Sequence, residues 1–437
     1  MDQPGEDVRG LRPGPPLAGA LRAPGSKSAA QRLLLAAAVA QGRTRLEALP
    51  AGEDVDAARA LVAALAPGAG ELEVEGRGAG DLQPTGPLEV GESATLARLA
   101  LGLLAFGARP DARVELRARG SLLARGAPAL RAALERAGVA FEGDGWPWRF
   151  TAVAPPDALR LEAPRSSQEL SALLLALAAH AGERVVEVRG DVPSRPYVEL
   201  TRSVLARFGA EVDVEPRADG SRWRVRGPLR APAAALAVEP DASSAAVALC
   251  AGAVSGGAVR ALGLAPDSAQ GDVRIAEHLR AFGCRATWGD AGLEVCGAPT
   301  RPATLDLSGN PDLAPPLAVV AAAAAGPRHG EAWSELGGLG TLDAKESPRL
   351  DGLVEGLRAA GWRAERTADA LRVGARVDPD DVSALVLDPR GDHRMAFAFA
   401  LLGLLRPNLR VRGAACVAKS WPGFWDDLAA LGARPAR

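Results

Sequence analysis

Two kinds of hydrophobic pattern alternate along the chain. In the first, apolar residues recur with helical spacing and are followed by a small or aromatic residue, a glycine and a short strand. The five clear copies of this motif are "ALERAGVAFEG", "VLARFGAEVDV", "HLRAFGCRATW", "GLRAAGWRAE" and "DLAALGARP". Its glycines, spaced between 71 and 78 residues apart, are Gly138, Gly209, Gly283, Gly361 and Gly432. We expect each to end a helix, because glycine readily adopts the left-handed backbone of a helix C-cap.

In the second pattern, a helix is apolar on nearly every side. The segments read "QRLLLAAAVA", "ATLARLALGLLAF", "SALLLALAAH", "SSAAVALCAGAV", "PPLAVVAAAAA" and "RMAFAFALLGLL". A helix without a polar face must be buried all round. One such helix falls in each repeat when a degenerate copy, "LVAALAPGAGELEVEG", is counted. The pattern therefore predicts an α/β protein with two bundles of three buried helices, each wrapped by strands and amphipathic helices.

A polar cluster precedes every buried helix. The clusters are "PGSKS", "GES", "RSSQE", "DASS", "NPD" and "GDHR". Serine, aspartate and asparagine are good N-caps, so capping alone is the simpler interpretation of any single cluster. All six together indicate more. If the three buried helices of a domain run parallel, their positive N-terminal ends converge, and two domains facing each other would enclose a cleft suited to anions.

The bulk composition limits the classes of partner. The 437 residues suffice for two domains, and 51 cationic residues balance 53 anionic ones, which argues against a protein that coats nucleic acid. The four cysteines lack zinc-site spacing and are expected to be reduced and buried. No export signal is evident and the apolar runs are too short to span a bilayer, so we expect a cytosolic protein with neither nucleic-acid nor membrane partners.

Lysine is rare in this chain. Of the 51 basic residues only three are lysine, at Lys27, Lys345 and Lys419, and each lies in a distinctive polar cluster. Unlike arginine, lysine can donate a proton near neutral pH, which favours a chemical role. Lys27 is expected one residue before a helix start, with Ser28 and Arg32 on one face of that helix. Its "PGSKS" segment lacks the glycine spacing of a Walker loop, so a nucleotide hydrolase is disfavoured.

The clusters together resemble the enolpyruvyl transferase family, in particular its 5-enolpyruvylshikimate-3-phosphate synthase branch. The resemblance runs in order through "PGSKS", "SSQ", "GDVPSRPY", "DASSA", "PDLA", "KESPR", "GDHRM" and "AKSWPGF". It implies an inside-out α/β barrel of six repeats of about 70 residues. The implied domains are 26–239 and, discontinuously, 1–25 with 240–437. It further implies a monomer that closes about hinges near residues 23–26 and 239–241, with no metal or organic cofactor.

The resemblance assigns the two substrates to separate sets of residues. For shikimate 3-phosphate the set is Lys27, Ser28, Arg32, Ser166, Ser167, Gln168, Ser194, Tyr197, Asp312 and Lys345. For phosphoenolpyruvate it is Lys27, Ala94, Arg98, Arg125, Gln168, Arg349, Arg394 and Lys419. The implied catalytic residues are Lys27, Asp312, Glu346, His393 and Lys419. Asp312 would be the base for the sugar hydroxyl, and Glu346 with Lys27 would handle protonation of the enol carbon and the leaving group.

Structural alternatives stand beside these assignments. Asp312 could be only a helix cap, Glu346 a solvated charge beside Arg349, and His393 a packed core histidine. The assignment of Arg98 and Arg125 to phosphoenolpyruvate depends only on their alignment with the family pattern, since each is one of 48 arginines.

Some positions depart from the family pattern. Gln31 replaces an asparagine, Glu92 introduces a carboxylate, Thr341 stands where an amide donor is common, and Pro348 replaces an aspartate. Ala94 replaces a glycine against which phosphoenolpyruvate normally lies. Its methyl group should exclude a longer mimic such as glyphosate more than the substrate, so the sequence predicts glyphosate tolerance.

Two further hypotheses remain open at this point. One is an enolpyruvyl transferase that acts on UDP-N-acetylglucosamine, although the cysteine common in a first-domain loop of that family is missing from residues 107–127. The other is a non-catalytic paralogue that binds a shikimate-like metabolite.

Overall fold

The computed structural model describes residues 7–66, 72–325 and 332–436. The chain forms two compact units, one of Gly25–Glu239 and the other of the residues up to Pro24 together with those from Pro240 onward. Residues 67–71 of the degenerate repeat lie outside the described residues. In the described part of the chain, every helix is too short or too polar to cross a membrane.

The helices of the described residues follow the predicted alternation of buried and amphipathic segments. Their bounds are α1 Lys27–Val39, α2 Glu53–Leu65, α3 Ala94–Gly107, α4 Pro128–Arg136, α5 Ser167–Ala178, α6 Pro196–Arg207, α7 Ala242–Ser255, α8 Ile275–Ala281, α9 Ala314–Ala324, α10 Arg349–Ala359, α11 His393–Leu402 and α12 Phe424–Ala430. The six segments predicted as buried helices are α1, α3, α5, α7, α9 and α11, which confirms that prediction.

The strands are short and belong to seven small sheets among the described residues. Their bounds are β1 Val8–Arg9, β2 Leu11–Arg12, β3 Ala18–Leu21, β4 Gln41–Glu47, β5 Glu73–Arg77, β6 Leu88–Glu89, β7 Arg113–Arg117, β8 Ala140–Glu142, β9 Trp148–Thr151, β10 Ala158–Glu162, β11 Gly182–Arg189, β12 Glu211–Arg217, β13 Gly220–Gly227, β14 Leu236–Ala237, β15 Ala258–Leu262, β16 Arg285–Gly289, β17 Gly292–Cys296, β18 Thr304–Asp306, β19 Ser334–Gly337, β20 Trp362–Arg366, β21 Leu371–Arg376, β22 Leu385–Leu387, β23 Leu409–Arg412 and β24 Arg434–Pro435.

One strand order recurs in four of these sheets. The orders are β6-β7-β9-β8, β10-β11-β13-β12, β3-β15-β17-β16 and β18-β19-β21-β20. In each, the first pair is parallel and the next two pairs are antiparallel. In the second sheet, for example, Val186 faces Leu159 across the parallel ladder and Trp223 across the antiparallel one. Two three-stranded sheets, β14-β4-β5 and β22-β23-β1, begin with the same parallel-then-antiparallel order, and β2 pairs with β24.

The five glycines predicted to end the amphipathic helices lie just after α4, α6, α8, α10 and α12. Their φ angles run from 80 to 100°. That left-handed region is strained for residues that carry a Cβ, so the structure confirms the predicted C-cap glycines.

The core of each unit is built on its buried helices. In the Gly25–Glu239 unit α3 packs against both α1 and α5, and in the other unit α7, α9 and α11 pack against one another. Every residue of α7 from Ala242 to Val254 is buried. Helices α3 and α5 come close at Gly102, where a Cβ atom would lie 2.8 Å from the carbonyl oxygen of Ala172. Only glycine permits this approach, since a real Cβ does not come so near to backbone.

Candidate active site

The first turns of the buried helices carry the residues that escape burial. In α1, α3, α5 and α11 the remaining positions are buried. The partly exposed residues there are Lys27, Ser28, Thr95, Arg98, Gln168 and Arg394. Burying polar groups costs free energy unless they form hydrogen bonds. The polar residues at these helix starts therefore indicate a functional site there.

In the Gly25–Glu239 unit, hydrogen bonds join the N-terminal ends of the three buried helices. The Gln31 amide of α1 donates to Ser93 Oγ, the N-cap of α3, at 2.8 Å. The Gln168 amide of α5 donates to Thr95 Oγ1 of α3, also at 2.8 Å. The positive ends of the three helix dipoles therefore lie together, as the sequence predicted for each bundle.

Lys27 is the first residue of α1, whose N-cap is Ser26. The expectation that it precedes the helix by one residue was wrong, because the Ser26 hydroxyl accepts the Ala29 N–H and the helix begins directly after Ser26. The Lys27 ammonium pairs with the buried Asp54 carboxylate at 2.8 Å. Gln31 donates to the Asp54 carbonyl oxygen at 3.1 Å and so fixes this partner. Lys27 is thus held at a helix N-terminus by a carboxylate that the sequence analysis missed.

Arg32 lies deeper than its neighbours and is only 1% exposed. Its guanidinium donates to Thr201 Oγ1 at 2.8 Å, to the Ser28 carbonyl oxygen at 2.8 Å and to the Tyr197 carbonyl oxygen at 3.3 Å. Burial lowers its pKa to about 10, so it remains charged at neutral pH. The cation therefore links α1 to the start of α6, where Tyr197 lies.

Arg98 and Arg125 bring two positive charges to the same end of this unit. Arg98 donates to the Gln168 side-chain oxygen and, at 2.7 Å, to the Gly126 carbonyl oxygen. Burial, and then the nearby charge of Arg125, lower the Arg98 pKa to about 10. Two cations so close that the charge of one lowers the pKa of the other favour a site for a negatively charged ligand.

Glu169 organises the backbone around these residues. With Ser166 it forms a capping box at the start of α5. Its carboxylate also accepts the Arg165 N–H at 2.8 Å and the Ala129 N–H at 3.1 Å, which ties the segment after Arg125 to α5. Glu169 was not predicted from the sequence, although the Ser-x-x-Glu spacing is a recognised signal of a capping box.

The remaining residues predicted for shikimate 3-phosphate in this unit lie at the starts of α5 and α6. Ser167 is buried in the first turn of α5. Ser194, just before α6, has φ of 51°. A serine in the left-handed region is uncommon and concentrates at ligand sites.

Ala94 is the first residue of α3 and is 7% exposed. Beside it, the Ser121 hydroxyl donates to the Glu92 carboxylate at 3.4 Å. A Cβ on Gly120 would come within 2.2 Å of that carboxylate, so glycine makes room for the Glu92 side chain.

In the second unit, Asp312 is the centre of a cationic cluster. Its carboxylate lies 2.9 Å from Arg349 Nη1, 3.2 Å from Arg394 Nη2 and 3.5 Å from Lys345 Nζ. Burial opposes its ionisation, but the charges of Arg394, Lys345 and Arg349 outweigh burial and hold the Asp312 pKa well below its usual range. The alternative that Asp312 is only a helix cap is therefore wrong.

A buried bidentate ion pair between Arg349 and Asp392 supports the Asp312 cluster. Arg349 donates to both oxygens of Asp392, at 2.7 and 3.2 Å, and the Arg349 and Asp392 side chains are 3% and 0% exposed. Asp392 also caps α11 and accepts the Ser347 hydroxyl at 3.0 Å. Burial opposes its ionisation, but Arg349 lowers the Asp392 pKa overall. This fixes the orientation of the Arg349 guanidinium toward Asp312.

Glu346, His393 and Lys419 form a third group in this unit. Glu346 lies 3.0 Å from His393 Nδ1 and 3.4 Å from Lys419 Nζ, so it is not a solvated charge beside Arg349 alone. His393 is buried and stands edge-on to Phe397, so it is packed in the core and bonded to Glu346 at once. The ligand atoms of Glu346, Asp392 and His393 lie within 4.8 Å of one another. Because Lys419 and Arg349 already balance the two carboxylates, we assign no metal role to them.

The N-terminal ends of the buried helices meet in this unit as well. Arg394, in the first turn of α11, donates to Ser243 Oγ in the first turn of α7 at 3.4 Å. The Asp312 that it also contacts lies in the 3-10 turn Pro311–Leu313 leading into α9. Each unit therefore holds cations and polar groups at three converging helix starts.

Comparison with known proteins places this arrangement in a family. Residues 11–428 match the family model of EPSP synthase (3-phosphoshikimate 1-carboxyvinyltransferase). The chain belongs to the EPSP synthase family. A relative from Syntrophobacter fumaroxidans, named 3-phosphoshikimate 1-carboxyvinyltransferase, is 33% identical over 94% of this chain and 96% of its own length. One from Methanoculleus marisnigri with the same name is 35% identical, again over 94% and 96%.

Solved structures show the same fold. An EPSP synthase from Acinetobacter baumannii superposes with a TM-score of 0.76 over 99% of this chain and all of that one, at 23% identity. The enolpyruvyl transferase NikO from Streptomyces tendae gives a TM-score of 0.71 at 19% identity, over 99% of each chain. This chain thus shares its α/β fold with mixed sheets with both of these solved structures.

Proposed function

We propose that the protein transfers the enolpyruvyl group of phosphoenolpyruvate to the 5-hydroxyl of shikimate 3-phosphate and releases phosphate. The observation that carries this proposal is the Asp312 carboxylate held among Lys345, Arg349 and Arg394. The transfer needs a base for a hydroxyl and cations for two multiply charged acids, and this cluster provides both. Membership of the EPSP synthase family supports the same reaction.

The ion pairs of Asp312 suggest how the base is controlled. While three cations hold its pKa low, Asp312 is a weak proton acceptor. Anionic groups of the substrates compete for Arg394 and Lys345. Each cation withdrawn from Asp312 raises its pKa, so the carboxylate becomes an effective base for the 5-hydroxyl only when the substrates are bound.

The substrate-binding assignments follow the helix starts. Shikimate 3-phosphate is assigned to the first turns of α1, α5 and α6 with Lys345, and phosphoenolpyruvate to Arg98, Arg125, Arg394 and Lys419 among the cations. The buried Arg32 is proposed to act on shikimate 3-phosphate through Ser28 and Tyr197, whose carbonyl oxygens it holds. Glu346, paired with Lys419, is proposed to handle protonation of the enol carbon and of the leaving group together with Lys27.

We further infer the finer architecture and the cellular setting. The strand order shared by four sheets supports six repeats arranged as an inside-out α/β barrel in two domains. The proposed enzyme is a cytosolic monomer that needs no metal or organic cofactor. Ala94 at the start of α3 supports tolerance of glyphosate, since its methyl group narrows the place where phosphoenolpyruvate is proposed to lie.

Phosphate release on mixing phosphoenolpyruvate with shikimate 3-phosphate tests the proposal. Wild type should release phosphate only when both substrates are present. Asp312→Asn should lower kcat by at least about 100-fold, the usual contribution of a general base. Asp380→Asn, the same change at an exposed loop position, should leave kcat within about twofold. A wild-type protein that releases no phosphate, or an Asp312→Asn enzyme with unchanged kcat, contradicts the proposed function.

A further inference from the structure

A buried carboxylate without an assigned role lies behind Arg394. Asp272 is in the 3-10 turn Gly271–Arg274 and is 3% exposed. The Ser243 hydroxyl donates to Asp272 Oδ2, and Arg394 Nη2 donates to Ser243 Oγ at 3.4 Å. Arg394 reaches Asp312 at 3.2 Å with the same nitrogen. A continuous chain of polar contacts therefore runs from Asp272 through Ser243 to a guanidinium of the candidate site.

The direction of each hydrogen bond matters for Arg394. A serine hydroxyl has one proton and two lone pairs, and the ionised Asp272 carboxylate, which can only accept, takes that proton in its hydrogen bond with Ser243. The lone pairs are then left to accept from Arg394, which can only donate. Without the carboxylate, the hydroxyl could rotate and direct its proton at the guanidinium. Asp272 therefore fixes Ser243 as an acceptor.

Asp272 is costly to keep if packing is its only role. Among the described residues its Oδ1 atom is buried without a hydrogen-bond partner. Burial raises its pKa to about 7, although the charge of Arg394 opposes this. Apolar side chains of similar volume often replace buried charges without loss of stability. The contact of this buried carboxylate with Ser243, which itself contacts Arg394, favours a functional contribution.

We propose that Asp272 and Ser243 are positioning residues that hold Arg394 in the orientation needed to bind the anionic co-substrate. The proposal rests on the proposed function, in which Arg394 binds phosphoenolpyruvate. With its guanidinium anchored through Ser243, Arg394 can exchange Asp312 for a carboxylate or phosphate oxygen without turning away. We call the chain of contacts from Asp272 through Ser243 to Arg394 the relay. Loss of this relay should weaken phosphoenolpyruvate binding and leave shikimate 3-phosphate binding intact.

Steady-state kinetics of Ser243→Ala and Asp272→Ala test this relay. Each variant should raise KM for phosphoenolpyruvate about tenfold, the effect of one hydrogen bond to a charged group. KM for shikimate 3-phosphate should change by less than about twofold. The double variant should be no worse than either single one, because both changes break the same chain. Ser244→Ala, which removes a neighbouring buried hydroxyl of α7 outside the relay, is the matched control.

The outcomes separate the relay from the reaction itself. Unchanged KM for phosphoenolpyruvate in Ser243→Ala overturns the relay, as does a parallel rise of both KM values or an equal effect in Ser244→Ala. If wild type does not turn over, the proposed function fails, but calorimetric titration with phosphoenolpyruvate alone still compares wild type with Ser243→Ala. A dissociation constant about tenfold larger in Ser243→Ala than in wild type supports the relay. Equal constants, or no binding by wild type, overturn it.

Discussion

The Arg349–Asp392 ion pair offers the sharpest test of the physical reasoning about the site. Asp392→Asn keeps the volume of the side chain and a carbonyl oxygen that can still accept hydrogen bonds. It removes the negative charge that faces a guanidinium with only 3% exposure. Arg349 then keeps Asp312, at 2.9 Å, as its anionic partner.

The expected cost follows from this geometry. Removing one partner of a buried ion pair typically costs about 3–5 kcal/mol, because the other charge stays buried. The remaining contact with Asp312 places Asp392→Asn near the lower end, at about 3 kcal/mol. For a unit of about 200 residues this corresponds to a fall in Tm of about 6–12 °C.

The pH dependence gives a second signature. Because the folded-state pKa of Asp392 is lowered, its stabilisation is present above the unfolded-state pKa, about 4, and is lost as pH falls through the folded-state value. The difference in Tm between wild type and Asp392→Asn should therefore be large at pH 7 and shrink toward pH 3.

Thermal unfolding followed by circular dichroism at both pH values measures these effects, with Asp380→Asn as the exposed control. The double variant Arg349→Met with Asp392→Asn should cost less than the sum of the single changes, since no unpaired buried charge is left. A fall in Tm below about 2 °C at pH 7, less than 1 kcal/mol in this unit, would refute the argument. Equal differences at the two pH values would do the same.

Three further predictions follow from individual contacts. Ala94→Gly should make the enzyme about tenfold more sensitive to glyphosate in a dose–response assay, because the methyl group no longer narrows the pocket, and unchanged sensitivity would contradict this. Lys27→Arg should lower kcat about 100-fold despite keeping the charge, since a guanidinium cannot donate a proton; wild-type kcat in this variant would argue against a chemical role. Glu169→Gln should destabilise the protein by about 1–2 kcal/mol in urea unfolding, because the capping box and the tie to Ala129 are weakened, and an unchanged midpoint would show that neither matters.

The fold was largely predictable where the signal is local. A run such as the one in α7 has no polar face, so its burial is dictated by composition alone. The C-cap glycines were predictable for a similar reason, since the required backbone angle favours one residue type. The start of α1 was misplaced by one residue, since only the three-dimensional structure shows that the Ser26 hydroxyl accepts the Ala29 N–H and caps the helix.

The site was predictable in its cations but not in their partners. Lysines stand out in an arginine-rich chain, and the helix starts indicated where anions would bind. Asp54 and Asp272 are two of 53 acidic residues and have no distinguishing neighbours in sequence. They gain a role only because folding brings Asp54 to Lys27, and Asp272, through Ser243, to Arg394. Pairings between positions so far apart cannot be read from local pattern.

Gly102 shows how a residue remote from the chemistry can set its dimensions. The missing side chain lets the backbones of α3 and α5 come close at Ala172, and one turn earlier on α3 Arg98 donates a hydrogen bond to Gln168 of α5. The spacing between these two groups is thus a property of helix contact rather than of any loop. Replacing Gly102 by alanine would move the N-terminal ends of α3 and α5 apart. This would change the affinity of the site for small anionic ligands, although the added methyl group would not contact a ligand.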